Sequence, residues 1–278
     1  MKKLMMLVVF TVLTFTGAFA EDIDAKVEKG MKKFFAENNI GLEVDIDVIK
    51  KLEEPKGLYF IRMTLSEKAT GRSQEQLVFT DGKYLMPEIL TIEGNTSIKD
   101  ILTFEAAEKV DLDLSKLTLV KGSKDAKHVI VTVSDFQCPY CKRAHAFLQS
   151  EIKKRGLDVA EYMMHLPLGF HEKAKLYASI LEVGLDMGIN FSDELYATDE
   201  KTDKMSDEAI IDIFAKKTND PKKFKELLKN PSILGKINAQ AKMAGDLGIT
   251  GTPQIYFDGK PVGGFKQSMY ILALDSMK

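Results

Sequence analysis

Cys138 and Cys141 are the only two cysteines among 278 residues, and they stand three apart in Cys138-Pro139-Tyr140-Cys141. An apolar run, 128–133, leads into the pair and a helical pattern follows from 139 to about 155. That places Cys138 at a helix N-cap, Pro139 at the first helical position and Cys141 about one turn in. Unsatisfied N–H groups and the positive end of the helix dipole favour a thiolate at Cys138. A lowered pKa raises its thiolate fraction and makes it a better leaving group. Cys141, deeper in the helix, would be shielded and would act as a resolving thiol. The chemistry these positions suit is thiol–disulfide exchange. Three other readings remain beside it. A structural disulfide would close only a four-residue loop and constrain the unfolded chain little. A zinc site could recruit Cys138, Cys141 and His145, but no second cysteine pair would complete it. Two inert buried thiols fit poorly with a helix start.

A second feature is Gly251-Thr252-Pro253, directly before a strand at 254–257. An X–Pro bond can be cis, and proline is tolerated at the first residue of a strand. If the fold sets Pro253 opposite Cys138, the Thr252 backbone would face the sulfur and offer main-chain hydrogen bonds to an extended peptide. Alone, Thr-Pro before a strand is an ordinary loop.

The elements that must carry these residues follow from periodicity. From 21 to about 38 the step is helical, with Ile23, Val27, Met31, Phe34 and Phe35 as its apolar residues. Residues 42–48 then alternate apolar with acidic side chains, a half-buried strand. Further strands are expected at 58–65, 74–80 and 83–86, with Asp81-Gly82 as a two-residue hairpin turn. This α+β module, 21–93, is small for independent stability, and a sheet with an uncovered face would pair with a copy of itself. A helical linker, 94–116, leads to a mixed α/β domain at 117–278. Its strands fall at 117–120, 128–133, 158–165, 254–257 and 262–265, with a helical insertion at about 167–247 and a closing helix at 267–277. The run 128–133 suits the centre of a sheet covered on both faces.

Lys2 and Lys3, the apolar stretch 4–13 and Ala18-Phe19-Ala20 form the pattern of a cleaved export signal, with cleavage expected after Ala20. No later segment is apolar enough to span a membrane. An exported chain can keep a disulfide. The balance of 39 Lys+Arg against 41 Asp+Glu argues against a nucleic-acid partner.

The segment 134–145, with 248–253 and Asp258-Gly259-Lys260 downstream, resembles the Dsb branch of the thioredoxin superfamily. Gly122 to Ala126 and Pro167-Leu168 agree, so the likeness spans 117–278. The resemblance implies a thioredoxin fold with an inserted helical subdomain and an exported thiol–disulfide oxidoreductase. Cys138 would attack, Cys141 resolve, Pro253 be cis, and Thr252, Pro139 and Tyr140 shape the substrate site. It implies no cofactor and no metal. The partners would be unfolded or misfolded exported proteins with cysteines and a DsbD-like or DsbB-like membrane redox protein. The module 21–93 is similar, more loosely, to the dimerisation module of the DsbC/DsbG isomerases, and implies a periplasmic homodimer. Thr252 and that module lean towards an isomerase. The Pro-Tyr dipeptide and the helical insertion favour a DsbA-like oxidase instead. A peptide-binding chaperone with incidental thiols is the reading from another class. The chain departs from the superfamily at Thr132, where a buried acid often stands six residues before the first cysteine. Asp135 is a loop cap with a possible tuning role, and His145, a turn beyond Cys141, is a second tuning candidate. His128, His165 and His171 show no constellation.

Overall fold

Alternation of apolar and acidic side chains becomes β1 (Leu42–Lys51), whose Val44 and Ile46 point into a core while Glu43, Asp45 and Asp47 face water. It opens an antiparallel meander with β2 (Tyr59–Glu67), β3 (Ser73–Thr80) and β4 (Leu85–Met86), in the order β1-β2-β3-β4. The computed structural model describes residues 17–67, 69–93 and 96–277, which divide into two compact units at Ala106/Ala107. Residues 1–16 of the expected export signal lie outside the described residues.

In the first unit α1 (Gly17–Glu37) lays Val27 and Phe35 against Val44, Ile46, Ile61, Met63 and Val78. Phe34 leaves the expected stripe and is exposed, because a helix turns 100° per residue and Phe35 already fills the inward position. The face of the sheet expected to be free is partly covered. α2 (Ile98–Ala106), in the segment read as a linker, packs Leu102 against Phe60, Phe79 and Leu52. The expected two-residue turn at Asp81-Gly82 is a four-residue connection, since Thr80 pairs with Leu85. Asp81 Oδ1 accepts the amides of Lys83 and Tyr84, both at 2.8 Å, which widens the turn.

The second unit is built on a five-stranded sheet, β5 (Thr118–Lys121), β6 (His128–Ser134), β7 (Val159–His165), β8 (Gln254–Phe257) and β9 (Lys260–Gly263), in the order β5-β7-β6-β8-β9. The apolar β6 lies at its centre. α3 (Pro139–Arg155) carries the chain from β6 to the parallel β7, so Ser134 and His165 end side by side at one edge. One face packs Val131, Val133, Ala160, Tyr162 and Met164 with Ala244. The other buries Met163, Phe136 and both cysteines against the helical insertion.

That insertion comprises α4 (Ala174–Asp186), α5 (Ser192–Tyr196), α6 (Glu200–Asp203), α7 (Asp207–Ala215), α8 (Pro221–Leu227) and α9 (Pro231–Asp246). Ser206, Asp220 and Asn230 cap three of these helices by accepting amides of Ala209, Lys223 and Ser232. A buried carboxylate joins the insertion to the sheet. Glu182 of α4 accepts from Thr118 of β5, from His165 of β7 at 2.8 Å and from Lys236 of α9 at 2.6 Å. Burial alone would raise its pKa, but these partners hold it down at about 2.

Asp258 (φ 46°) and Gly259 (φ 86°) make a two-residue turn, so β9 starts at Lys260 rather than 262. α10 (Gln267–Asp275) closes the chain, with Tyr270 against Phe147, Phe257 and Phe265. No described helix is long and apolar enough to cross a membrane.

Candidate active site

β6 ends at Ser134, and four residues later Cys138 occupies the N-cap of α3 in extended conformation, φ −67° and ψ 120°. Pro139 stands at the first helical position, where its missing N–H costs nothing. Both cysteines are free thiols, Cys138 5% and Cys141 1% exposed.

The two sulfurs have opposite electrostatics. A hydrogen bond from the Cys141 thiol is the largest influence lowering the Cys138 pKa. Burial opposes it, and Thr252 with the amides of Cys141 and Tyr140 adds to it, bringing Cys138 down to about 5. Burial pushes the Cys141 thiol far up, and donating to Cys138 pushes it further. The pair therefore shares one proton, held on the inner sulfur.

The opposite wall comes from the far end of the chain. The Thr252–Pro253 peptide is cis, and Cys138 Sγ lies 3.5 Å from the Thr252 carbonyl oxygen. The Thr252 hydroxyl is buried and has no conventional hydrogen-bond partner, leaving it beside the sulfurs as a donor for an ionised thiolate. Outside it runs a groove of about 630 Å³ lined by Gly248, Gly251, Thr252, Pro253, Gln254 and Tyr256.

Asp135 does more than cap a loop. Its buried carboxylate accepts the Gln137 amide, the Leu168 amide and the His171 ring, each at 2.8 Å. The loop after β7 is thus tied to the loop after β6. Tyr140 is half exposed, with the Arg143 guanidinium 5.1 Å from its ring centroid. His145 is turned to Asp193, at 2.7 Å, and stacks on Tyr196 with ring centroids 4.3 Å apart. Burial lowers its pKa. The imidazole is thus engaged by Asp193 on its edge and by Tyr196 on its face.

The other histidines do have partners: His171 has Asp135, His165 has Glu182, and His128 has Asp258 at 2.8 Å. Each partner is 17 to 130 residues away, so no local spacing announces the pairs. Ser134 and Tyr196 were also missed. The parallel pairing of β6 and β7 was the available signal, because it sets the loops after both strands at the same edge.

A thiolate that ionises readily, beside a protonated second thiol and an open groove, is equipped to form and release mixed disulfides. A family model described as thioredoxin matches residues 115–271. The thiol:disulfide interchange protein DsbA of Burkholderia cepacia is 23% identical over 154 residues, 54% of this chain and 72% of the relative. The probable disulfide bond formation protein D of Bacillus anthracis is 25% identical over 148 residues, 50% of this chain and 68% of the relative. Among solved structures, oxidised BdbD from Bacillus subtilis matches with a TM-score of 0.51 at 22% identity, covering 62% of this chain and 97% of its own. The exchange protein alpha-DsbA2 from Wolbachia pipientis matches at 0.50 and 18%, covering 60% and 89%. These two likenesses show the fold. With more than half its length inside the family model, the chain belongs to the thioredoxin family, as a thiol–disulfide oxidoreductase of the Dsb type.

Proposed function

We propose that the chain exchanges disulfides with cysteine-bearing polypeptides outside the cytoplasm, with Cys138 as the exposed-side nucleophile and Cys141 as the resolving thiol. One observation carries this reading: Cys138 is held at about 5 while its neighbour is driven up. At pH 7 such a sulfur is about 99% thiolate, and it leaves readily from a mixed disulfide. When the pair is reduced, Cys138 attacks a client disulfide, and one client sulfur departs with the electron pair. Cys141 then attacks Cys138, the Cys138–Cys141 bond forms, and the client's second sulfur leaves as a thiolate that takes up a proton. The groove beside Thr252 would hold the client in extended form through main-chain hydrogen bonds.

The direction proposed is donation of disulfides. Stabilising the thiolate stabilises the reduced pair, which makes the oxidised pair a stronger oxidant. The names of both sequence relatives, an interchange protein and a disulfide bond formation protein, support it. Isomerisation is the second reading, favoured by Thr252 before the proline and by a separate first unit. The first unit would join two copies through β1, a ten-residue edge strand with β2 as its strand neighbour. The basic and apolar pattern of residues 2–20 supports export to the periplasm, where a membrane redox protein would reset the pair.

Equilibration with glutathione tests the direction. A potential above about −200 mV is expected for a donor, and one below about −230 mV would reject donation in favour of reduction. Loss of exchange in Cys138→Ser, with trapping of client mixed disulfides by Cys141→Ser, is expected for the roles assigned.

A further inference from the structure

Phe170 is 77% exposed, in the loop between β7 and α4. A lone apolar side chain in water needs no explanation, but this one is held at a particular place. Four hydrogen bonds lace its loop to the one that carries Cys138. The Leu166 amide donates to the Ser134 carbonyl at 3.0 Å, and the Leu168 amide to the Asp135 carboxylate at 2.8 Å. The His171 ring meets the same carboxylate at 2.8 Å, and the Lys173 amide donates to the Gln137 side chain. The Asp135 carbonyl in turn accepts the Cys138 amide at 3.1 Å. Phe170 lies between these ties, its ring T-shaped to that of His171 with centroids 4.4 Å apart. The sheet order fixes its side of the site. β6 runs between β7 and β8, with Ser134 level with His165 and Val133 level with Gln254. The Cys138 loop therefore has the Thr252–Pro253 wall on one flank and the Phe170 loop on the other. The two flanks differ in kind. The first suits a client's main chain, which is alike in every polypeptide, whereas Phe170 offers a side chain without any hydrogen-bonding group.

We propose that Phe170 is a specificity residue: it packs against a large apolar side chain close to the client's cysteine, so that such clients react faster than those with polar neighbours. Contact takes apolar surface of both partners out of water. The loop is already pinned on either side of Phe170, so little freedom is lost when a client docks. Aromatic side chains on such a support carry a large share of the energy of polypeptide contacts. The preference has a physical use. Large apolar residues are mostly buried once a protein has folded and are displayed while it is unfolded. A contact that requires one beside the cysteine selects unfinished chains over finished ones.

The inference rests on the Cys138 and Cys141 roles proposed above, and one experiment separates the two. Reduced full-length protein is mixed in stopped flow with short peptides whose single cysteine carries thionitrobenzoate, a coloured leaving group. Attack by Cys138 on the peptide sulfur forms the Cys138–peptide bond, breaks the bond to thionitrobenzoate and releases it as a coloured thiolate. One peptide has leucine on both sides of the cysteine, the other serine, and N-acetylcysteine bearing the same group has no neighbours. Wild type should react with the leucine peptide about fivefold faster than with the serine peptide, as burying roughly 40 Å² of apolar surface yields. In Phe170→Ser that gap should fall below about twofold, while Phe170→Leu, which keeps an apolar side chain, should retain most of it. Both variants should react with the N-acetylcysteine compound within about twofold of wild type. An exposed position makes neither change a threat to folding. Equal rates for the two peptides in wild type, an undiminished gap in Phe170→Ser, or equal slowing of all three substrates in that variant would overturn the inference and leave the exchange roles standing. Absence of colour release from every substrate in wild type would instead overturn the exchange roles, and the inference with them.

Discussion

Cys138 links its charge to the stability of the reduced protein. Its folded pKa, about 5, lies below the 9.0 of an unperturbed thiol. A depressed acid adds stability that is complete above its unfolded pKa and is lost as pH falls through its folded value. The reduced chain should therefore gain on the oxidised one from pH 5 to pH 9. Urea midpoints of both forms across that window check it, and a constant gap would refute the thiolate assignment. Asp135 is the second residue with a measurable role. Replacing it by alanine strands three donors around a buried site, and a loss of about 3 kcal/mol is expected in chemical denaturation. The cysteine pair and Thr252-Pro253 were legible in the sequence because local rules, helix start and proline before a strand, act over a few residues. The Asp135–His171 pair was not, because it spans 36 positions and exists only once two strands lie parallel.

Elements were legible where one period ran uninterrupted. β6 and α3 stand out this way, the latter bounded by Pro139 and the left-handed Gly156. Turns were read less well where a side chain reshaped them, as Asp81 does, or where a hairpin was tighter than expected, as at Asp258-Gly259. The contact between α4, α9 and the sheet was hidden, because Glu182 and Lys236 look like surface charges until a fold encloses them. Glu182→Gln should cost about 3 kcal/mol, since it leaves His165 and Lys236 without their anion. The wild-type contribution should be present above pH 4.5 and fade as pH falls towards about 2, and the variant should lack that part of the acid slope. Gly122 makes a sharper case. At φ +81°, a Cβ there would stand 2.0 Å from the Val159 carbonyl oxygen, so Gly122→Ala should detach β5 and lower the melting temperature by several degrees.

At the scale of the molecule, the second unit closes two hydrophobic clusters with residues from 110 onward among the described residues. Residues 107–278 should therefore fold alone and retain thiol exchange with a small disulfide. Sedimentation of the full chain and of this piece tests the association proposed for the first unit: a dimer and a monomer are expected, and two monomers would reject it. The Thr252 wall also lies 114 residues beyond Cys138 in the chain. A ribosome adding about 5–20 residues per second presents the cysteine roughly 6–23 seconds before that wall exists. During that interval the nascent thiol lacks its threonine hydroxyl and the strand beside it. Newborn chains should accordingly be less reactive at neutral pH than finished ones, so the protein acquires its chemistry late, when its own synthesis is nearly over.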